Sequence, residues 1–346
     1  MVFRSFSFVA LLAFCVAYGL LLTNSVYANP VAPRASLRKR TARATPPAGA
    51  LVVSTNPASG QFSSVTAAIN ALPNDGSAQT IFIEAGTYEG QIDITRVGKL
   101  TTYHTVAKSS SVLITNSLSA TEAGSDDASG TLRIHTDDFS LYNVNVKNTF
   151  GEGSQALALS AYGTNAGFYG SGFYSYQDTV LAESGVQFYG FCYIEGAVDF
   201  IFGQHAFAFF SGATIASVGP GSITADGPAS KTDGLFVIDA SVIRQSTAAT
   251  EDLTGQVFLG RPWTEFATVV YTSVTMSDII NSAGWSVWSS TEPNTEDVTF
   301  VEFDSTGAGA AGTRASFSTK ATSTAGYTIA DVLGSDYTNW VDLSYV

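Results

Sequence analysis

The chain has 346 residues, a formal net charge of −13 and only 13% charged residues, against roughly 25% in an average globular protein. A nucleic-acid partner needs a basic footprint and is excluded. Beyond the N-terminus no stretch approaches the roughly 20 apolar residues that span a bilayer, so a membrane partner is not expected either. Few charges beside 32 Gly and 23 Phe imply a polar, extracellular type of surface over an apolar core.

Residues 1–28 read as a signal peptide. Arg4 gives a positive n-region, residues 8–22 are an apolar run, and Val26-Tyr27-Ala28 places small residues where a signal peptidase cuts. Residues 29–49 mix Pro30, Pro33, Pro46 and Pro47 with five basic residues and read as a linker or pro-segment. Within it, Arg38-Lys39-Arg40 suits either a dibasic processing site or a disordered basic leader. Residues 50–346 then form one large domain. Cys15 falls in the leader, which leaves Cys192 alone and reads it as a buried small hydrophobe.

In chain order, residues 63–72 are expected to be helical, with a Ser N-cap and Val65, Ile69 and Leu72 on one face. Residues 80–84 read as a short strand, and 139–146 as one alternating strand. An aromatic repeat follows: Phe168-Tyr169-Gly170 recurs as Phe188-Tyr189-Gly190, and Phe209-Phe210-Ser211-Gly212 comes about 20 residues later. That period is too short for a β-α crossover and fits one turn of a solenoid whose coils stack about 4.8 Å apart. Residues 236–238 and 269–271 read as later coils, and 329–333 as a short helix ended by Gly334. The expected fold is all-β: a right-handed parallel β-helix, or single-stranded β-solenoid, whose N-terminal helix caps an otherwise unpaired edge.

Asp178 and Asp199 are 21 residues apart, one repeat. Stacked in register, their side chains lie about 5 Å apart on one face. Two ionised carboxylates at that distance repel by roughly 3 kcal/mol at an effective dielectric near 20. One therefore keeps its proton while the other stays charged, which supplies an acid and a nucleophile from one residue type. Arg261 is the obvious cation for such a pair. Spacing alone leaves three readings open: an esterase, a retaining glycosidase, which also uses carboxylates about 5 Å apart, and a non-catalytic glycan-binding β-helix. His104, His135 and His205 show no metal-ligand spacing, and no Gly-x-Ser-x-Gly elbow occurs.

Gln155-Ala156-Leu157, Gln177-Asp178-Thr179-Val180, Asp199-Phe200-Ile201-Phe202-Gly203 and Leu259-Gly260-Arg261-Pro262-Trp263 together resemble, in order, the motifs of the pectin methylesterase (pectinesterase) family, and of its secreted fungal branch in particular. Val180 and Gly90 depart from that pattern, neither at a reacting group. The resemblance implies a carboxylic ester hydrolase that removes methyl esters from galacturonate in pectin, with water as the other reactant, no cofactor and no metal. It further implies Asp199 as nucleophile, Asp178 as proton donor and acceptor, Gln177 as oxyanion stabiliser and Arg261 as the group that orients Asp199. Gln155, Arg261, Trp263 and Trp285 are the expected substrate contacts. The enzyme is expected to be an extracellular monomer.

Overall fold

The structure is a computed structural model that describes residues 45–103 and 111–346. The signal peptide, the basic triplet at 38–40, most of the linker and His104 lie outside the described residues. The described chain winds through three all-parallel sheets of eleven, seven and eight strands. Each full coil visits the eleven-stranded sheet, then the eight-stranded, then the seven-stranded, so neighbours within a sheet come from successive coils. This is the parallel β-helix expected from the repeat.

The interior is a stack of like side chains. Phe168, Tyr189 and Phe210 face one another ring to ring, at centroid distances of 4.7 and 4.4 Å and interplanar angles of 16° and 12°. Such pairs add about 0.5–1.5 kcal/mol each beyond their burial. The register corrects the simplest alignment of the repeat. Phe168 pairs with Tyr189, and Tyr169 with Gly190, so the period here is 21 and the identical triplets are displaced by one. In a strand that displacement exchanges inside for outside. Tyr169 and Phe188 accordingly face outward, where Val332, Leu333, Val341 and Tyr345 of the C-terminal segment cover them.

The expected single strand over 139–146 is two strands, Phe139–Tyr142 and Asn145–Asn148, in different sheets. Asn143 breaks it at φ 55°, a left-handed conformation that Asn tolerates better than most residues. Gly170, Phe191, Gly212, Ala240 and Ser273 hold the same bend in the following coils, all at positive φ. Their backbone N–H groups donate to the next coil, for example Phe191 to the Ser211 carbonyl at 2.8 Å.

Helix α1 (Val65–Asn70) is capped by the Ser64 side chain and buries Val65 and Ala68 against the first strands. Two one-turn helices, α2 (Ala120–Ala123) and α3 (Asp126–Ser129), interrupt the coils. Helix α4 (Ile329–Leu333) carries a Thr328–Asp331 capping box and ends at Gly334. Cys192 is 1% exposed, and its thiol is pushed up to about 12 by burial.

The seven-stranded sheet carries the site. Its strands are β1 (Ile92–Ile94), β2 (Leu132–Ile134), β3 (Leu159–Ala161), β4 (Val180–Ala182), β5 (Ile201–Gly203), β6 (Gly221–Asp226) and β7 (Val257–Pro262). Pairing is continuous from β1 to β7, so a residue's place in one coil fixes which side chains stand above and below it.

Candidate active site

Val180 of β4 pairs with Ile201 of β5, which sets Asp178 and Asp199 opposite each other at the entry to the sheet. Both adopt left-handed backbone, with φ 61° and 51°. The main chain locks them there: the Asp178 N–H donates to the Val198 carbonyl at 3.0 Å, and the Asp199 N–H to the Ser222 carbonyl at 2.7 Å. Gln177 bridges Val198 in the same register. One coil earlier the Ala156 N–H donates to the Gln177 carbonyl at 3.2 Å, so Gln155 stands beside Gln177. Both glutamines are half-buried.

Arg261 reaches Asp199 from two coils away. Its Nε donates to Oδ1 at 2.9 Å and a terminal nitrogen donates to Oδ2 at 2.5 Å, the bidentate fork that suits a carboxylate. In register, Arg261 pairs with Ala225, and Ala225 with Phe202. The small side chain of Ala225 leaves the guanidinium room to cross that coil. On its other face the guanidinium lies under Trp288, 4.3 Å from the ring centre.

The two acids differ in environment. Each is 6% exposed, and burial alone raises both. For Asp199 the Arg261 bonds and charge oppose that rise. For Asp178 the Asp199 charge adds to it, followed by Asp126, and only Arg261 and a Gln177 hydrogen bond pull back, so the carboxyl is pushed up to about 9. Among the described residues, Asp178 Oδ1 has no hydrogen-bond partner. Near neutral pH the pair is thus one carboxylic acid beside one guanidinium-bound carboxylate.

The surroundings are apolar. Leu157, Leu181, Phe202 and Ala225 form an outward-facing cluster against which Trp263 and Trp288 pack. Trp263 sits over Gly227, where a Cβ would come within 2.8 Å of its ring. It also edges an open cleft of about 450 Å³ with Pro228, Ala229, Thr264 and Asn294. Residues 119–130 hold the one-turn helices α2 and α3. They are tied down by the Ala120 N–H to the Gln155 carbonyl at 2.8 Å and by Asn148 Nδ2 to the Ser129 carbonyl at 3.1 Å.

Trp285 requires a correction. Expected at the substrate surface, it is 1% exposed, stacks on Phe300 at 4.2 Å inside the coil, and donates from Nε1 to Glu302 at 3.3 Å. It is a core residue with no face for a ligand. Trp288 occupies the place at the site that had been expected of Trp285. Asp126, whose charge acts on Asp178, was also missed; the run Ser125-Asp126-Asp127 was its sequence signal. The other two histidines are held by acids: His135 lies 2.8 Å from Asp93 and 3.1 Å from Asp127, and His205 lies 2.8 Å from Asp233.

Stacked parallel coils that carry a split carboxylate pair, with Trp288 over the guanidinium that binds it, point to a class, the carbohydrate-active hydrolases built on a parallel β-helix. The pectinesterase family model matches residues 50–334. A pectinesterase from Aspergillus aculeatus is 46% identical over 319 residues, which cover 88% of this chain and 94% of that protein. The crystal structure of the pectin methylesterase from Aspergillus niger superposes with a TM-score of 0.81 at 37% identity, over 88% of this chain and 100% of that one. A pectin methylesterase solved in complex with a hexasaccharide gives 0.70 at 26% identity, over 82% and 96% of the two chains. The chain belongs to the pectinesterase family and is a carboxylic ester hydrolase.

Proposed function

We propose that the Asp178–Asp199 pair demethylates pectin through an aspartyl acyl-enzyme. The observation that carries this reading is the asymmetry of the pair: Asp199 is clamped by Arg261, whereas Asp178 keeps its proton up to about 9. Ionised Asp199 attacks the carbonyl carbon of a galacturonate methyl ester. Charge moves onto the ester oxygen, where the side-chain amides of Gln177 and Gln155 donate hydrogen bonds; one such donor typically accounts for a factor of about 10²–10³ in turnover. As the carbon–methoxy bond breaks, Asp178 gives its proton to the departing oxygen and methanol leaves. The products of this half are an Asp199 anhydride and an Asp178 carboxylate. Asp178 then takes a proton from water as that water attacks the anhydride, which frees the galacturonate and returns both acids to their starting states.

Trp263 and Trp288 supply flat faces for the sugar chain beside the reacting centre, with pectin as the polymer bound, in keeping with the hexasaccharide held by a solved relative. The apolar run at 8–22 supports secretion, with residues 50–346 as the catalytic domain. Methanol measured against new reducing ends on highly methylated pectin tests the reaction. Methanol without reducing ends is expected, and shortening of the polymer would favour the glycosidase reading instead.

A further inference from the structure

Among the described residues β7, the strand that carries Arg261, is the last of the site sheet. One side of it pairs with β6; the other is an edge, whose N–H and C=O groups need partners. Residues 279–286 supply them without forming a strand. The Val257 N–H donates to the Ile279 carbonyl at 3.0 Å, and the Asn281 N–H returns to the Val257 carbonyl at 2.8 Å. The Leu259 N–H donates to the Gly284 carbonyl at 2.7 Å, and the Ser286 N–H to the Gly260 carbonyl at 3.1 Å. Between these two bridges the chain turns away, with Gly284 at φ 70°. Two residues beyond Ser286, Trp288 lies on the Arg261 guanidinium.

That ladder is short, and a buried ion pair behind it ties the segment down. Glu302, in the strand Thr299–Phe303 of the eleven-stranded sheet, accepts from Nε and a terminal nitrogen of Arg314, both at 2.9 Å. It also accepts from Trp285 Nε1. The side chains of Arg314 and Glu302 are only 15% and 9% exposed. The guanidinium donates further to the carbonyls of Ser282 at 3.3 Å and Gly309 at 2.8 Å. Its stem crosses Gly284 so closely that a Cβ there would stand 2.7 Å from Cδ. The Ala315 N–H donates to the Ala283 carbonyl at 2.8 Å. Arg314 and the residue after it thus hold Ser282, Ala283, Gly284 and, through Glu302, Trp285.

We propose that Arg314, paired with Glu302, is a positioning residue for the reaction, holding residues 281–286 on the open edge of β7 so that Arg261 keeps its fork on Asp199. The proposal rests on the pectinesterase reading above. Arg314 acts through the coil that covers β7 and through Trp288 at the end of that coil. The charged groups that face Asp199 are Arg261 and Asp178. A guanidinium free to tilt, with water reaching its uncovered face, compensates Asp199 less well, and the carboxylate then takes up a proton at higher pH. A lysine at 314 cannot restore the grip, since an ammonium does not present a fork to Glu302 while it also reaches the two carbonyls.

Titration of the Asp199 side-chain carboxyl tests this without any turnover, so its outcome is separate from whether Asp199 is the nucleophile. The signal is followed by carbon-13 NMR in the full chain labelled at aspartate, and is assigned by its loss in Asp199→Asn. Arg314→Lys should raise the Asp199 midpoint by about one pH unit, a tenfold change in proton affinity. Glu302→Gln, which keeps the shape and loses the charge, should move it in the same direction by less. Tyr345→Ala removes packing on the outward face of the eleven-stranded sheet; it should lower the melting temperature and leave the midpoint unchanged. A pair that only stabilises the fold would give the Tyr345→Ala pattern in all three proteins. A folded Arg314→Lys protein that titrates Asp199 at the wild-type midpoint would overturn the proposal, as would an equal shift in Tyr345→Ala. If the lysine variant does not fold, a wild-type midpoint in Glu302→Gln overturns it.

Discussion

Asp178→Asn should make the folded protein more stable as the pH is raised, because the native site penalises the charge that Asp178 would otherwise carry. In the unfolded chain an aspartate loses its proton near 3.9; in the folded site burial and the neighbouring Asp199 hold it up to about 9. Between those values the folded state binds the extra proton. Wild-type stability therefore falls with rising pH, by at most about 1.4 kcal/mol per unit from this group. The folded carboxyl is raised, so its contribution is fully present below the unfolded value and lost progressively up to the folded one. From about pH 4 to about pH 7 the upper bound is about 4 kcal/mol, and local relaxation around a buried charge brings the expected figure nearer 2 kcal/mol. Asparagine removes the titration and keeps the shape. Urea denaturation of both proteins across this range, followed by tryptophan fluorescence, should show near-equal stability at the acid end and a gap in favour of Asp178→Asn that widens steadily toward neutrality. A gap that stays constant with pH would refute the reasoning, since it would mean that Asp178 ionises normally in the folded state.

Arg261→Ala leaves the buried Asp199 carboxylate without its guanidinium, and should cost about 3–5 kcal/mol of stability with near-complete loss of methanol release; Arg261→Lys should restore only part of both, since an ammonium cannot present the fork. Ala225→Leu fills the space that Arg261 crosses and should lower turnover at least tenfold in a folded protein, with an overpacking cost of about 1–3 kcal/mol in urea denaturation. Trp285→Ala should cost about 3–5 kcal/mol by cavity formation, while the KM for pectin in the surviving folded enzyme stays close to wild type.

The acid pair was legible in the sequence because a solenoid turns spacing along the chain into distance: 21 residues is one coil, whichever side chains intervene. Cys192, α1 and α4 were legible for local reasons, an unpaired thiol in one case and capping residues with apolar spacing in the others. The inside–outside assignment of the aromatic repeat was not. The visible triplets recur every 20 residues, whereas the hydrogen-bonded register is 21, and nothing local distinguishes a ring that faces the core from one that faces the C-terminal segment. Trp285 and Trp288 posed the same difficulty, two tryptophans three residues apart, one stacked on Phe300 and the other on Arg261. The Arg261–Asp199 contact spans two coils and depends on Ala225 being small, a condition that no motif containing Arg261 records. Asp126 acts on Asp178 across the fold, and its segment, residues 119–130, is held by Gln155 and Asn148, which is long-range information.

The central claim is that Asp199 is the nucleophile. Methanol release from highly methylated pectin by Asp199→Ala, in protein shown by its far-ultraviolet spectrum and melting transition to be folded, tests it most directly. The account predicts no release above background at any pH, because neither Asp178 nor a glutamine replaces the missing carboxylate. Release at a rate near that of the wild type would contradict it.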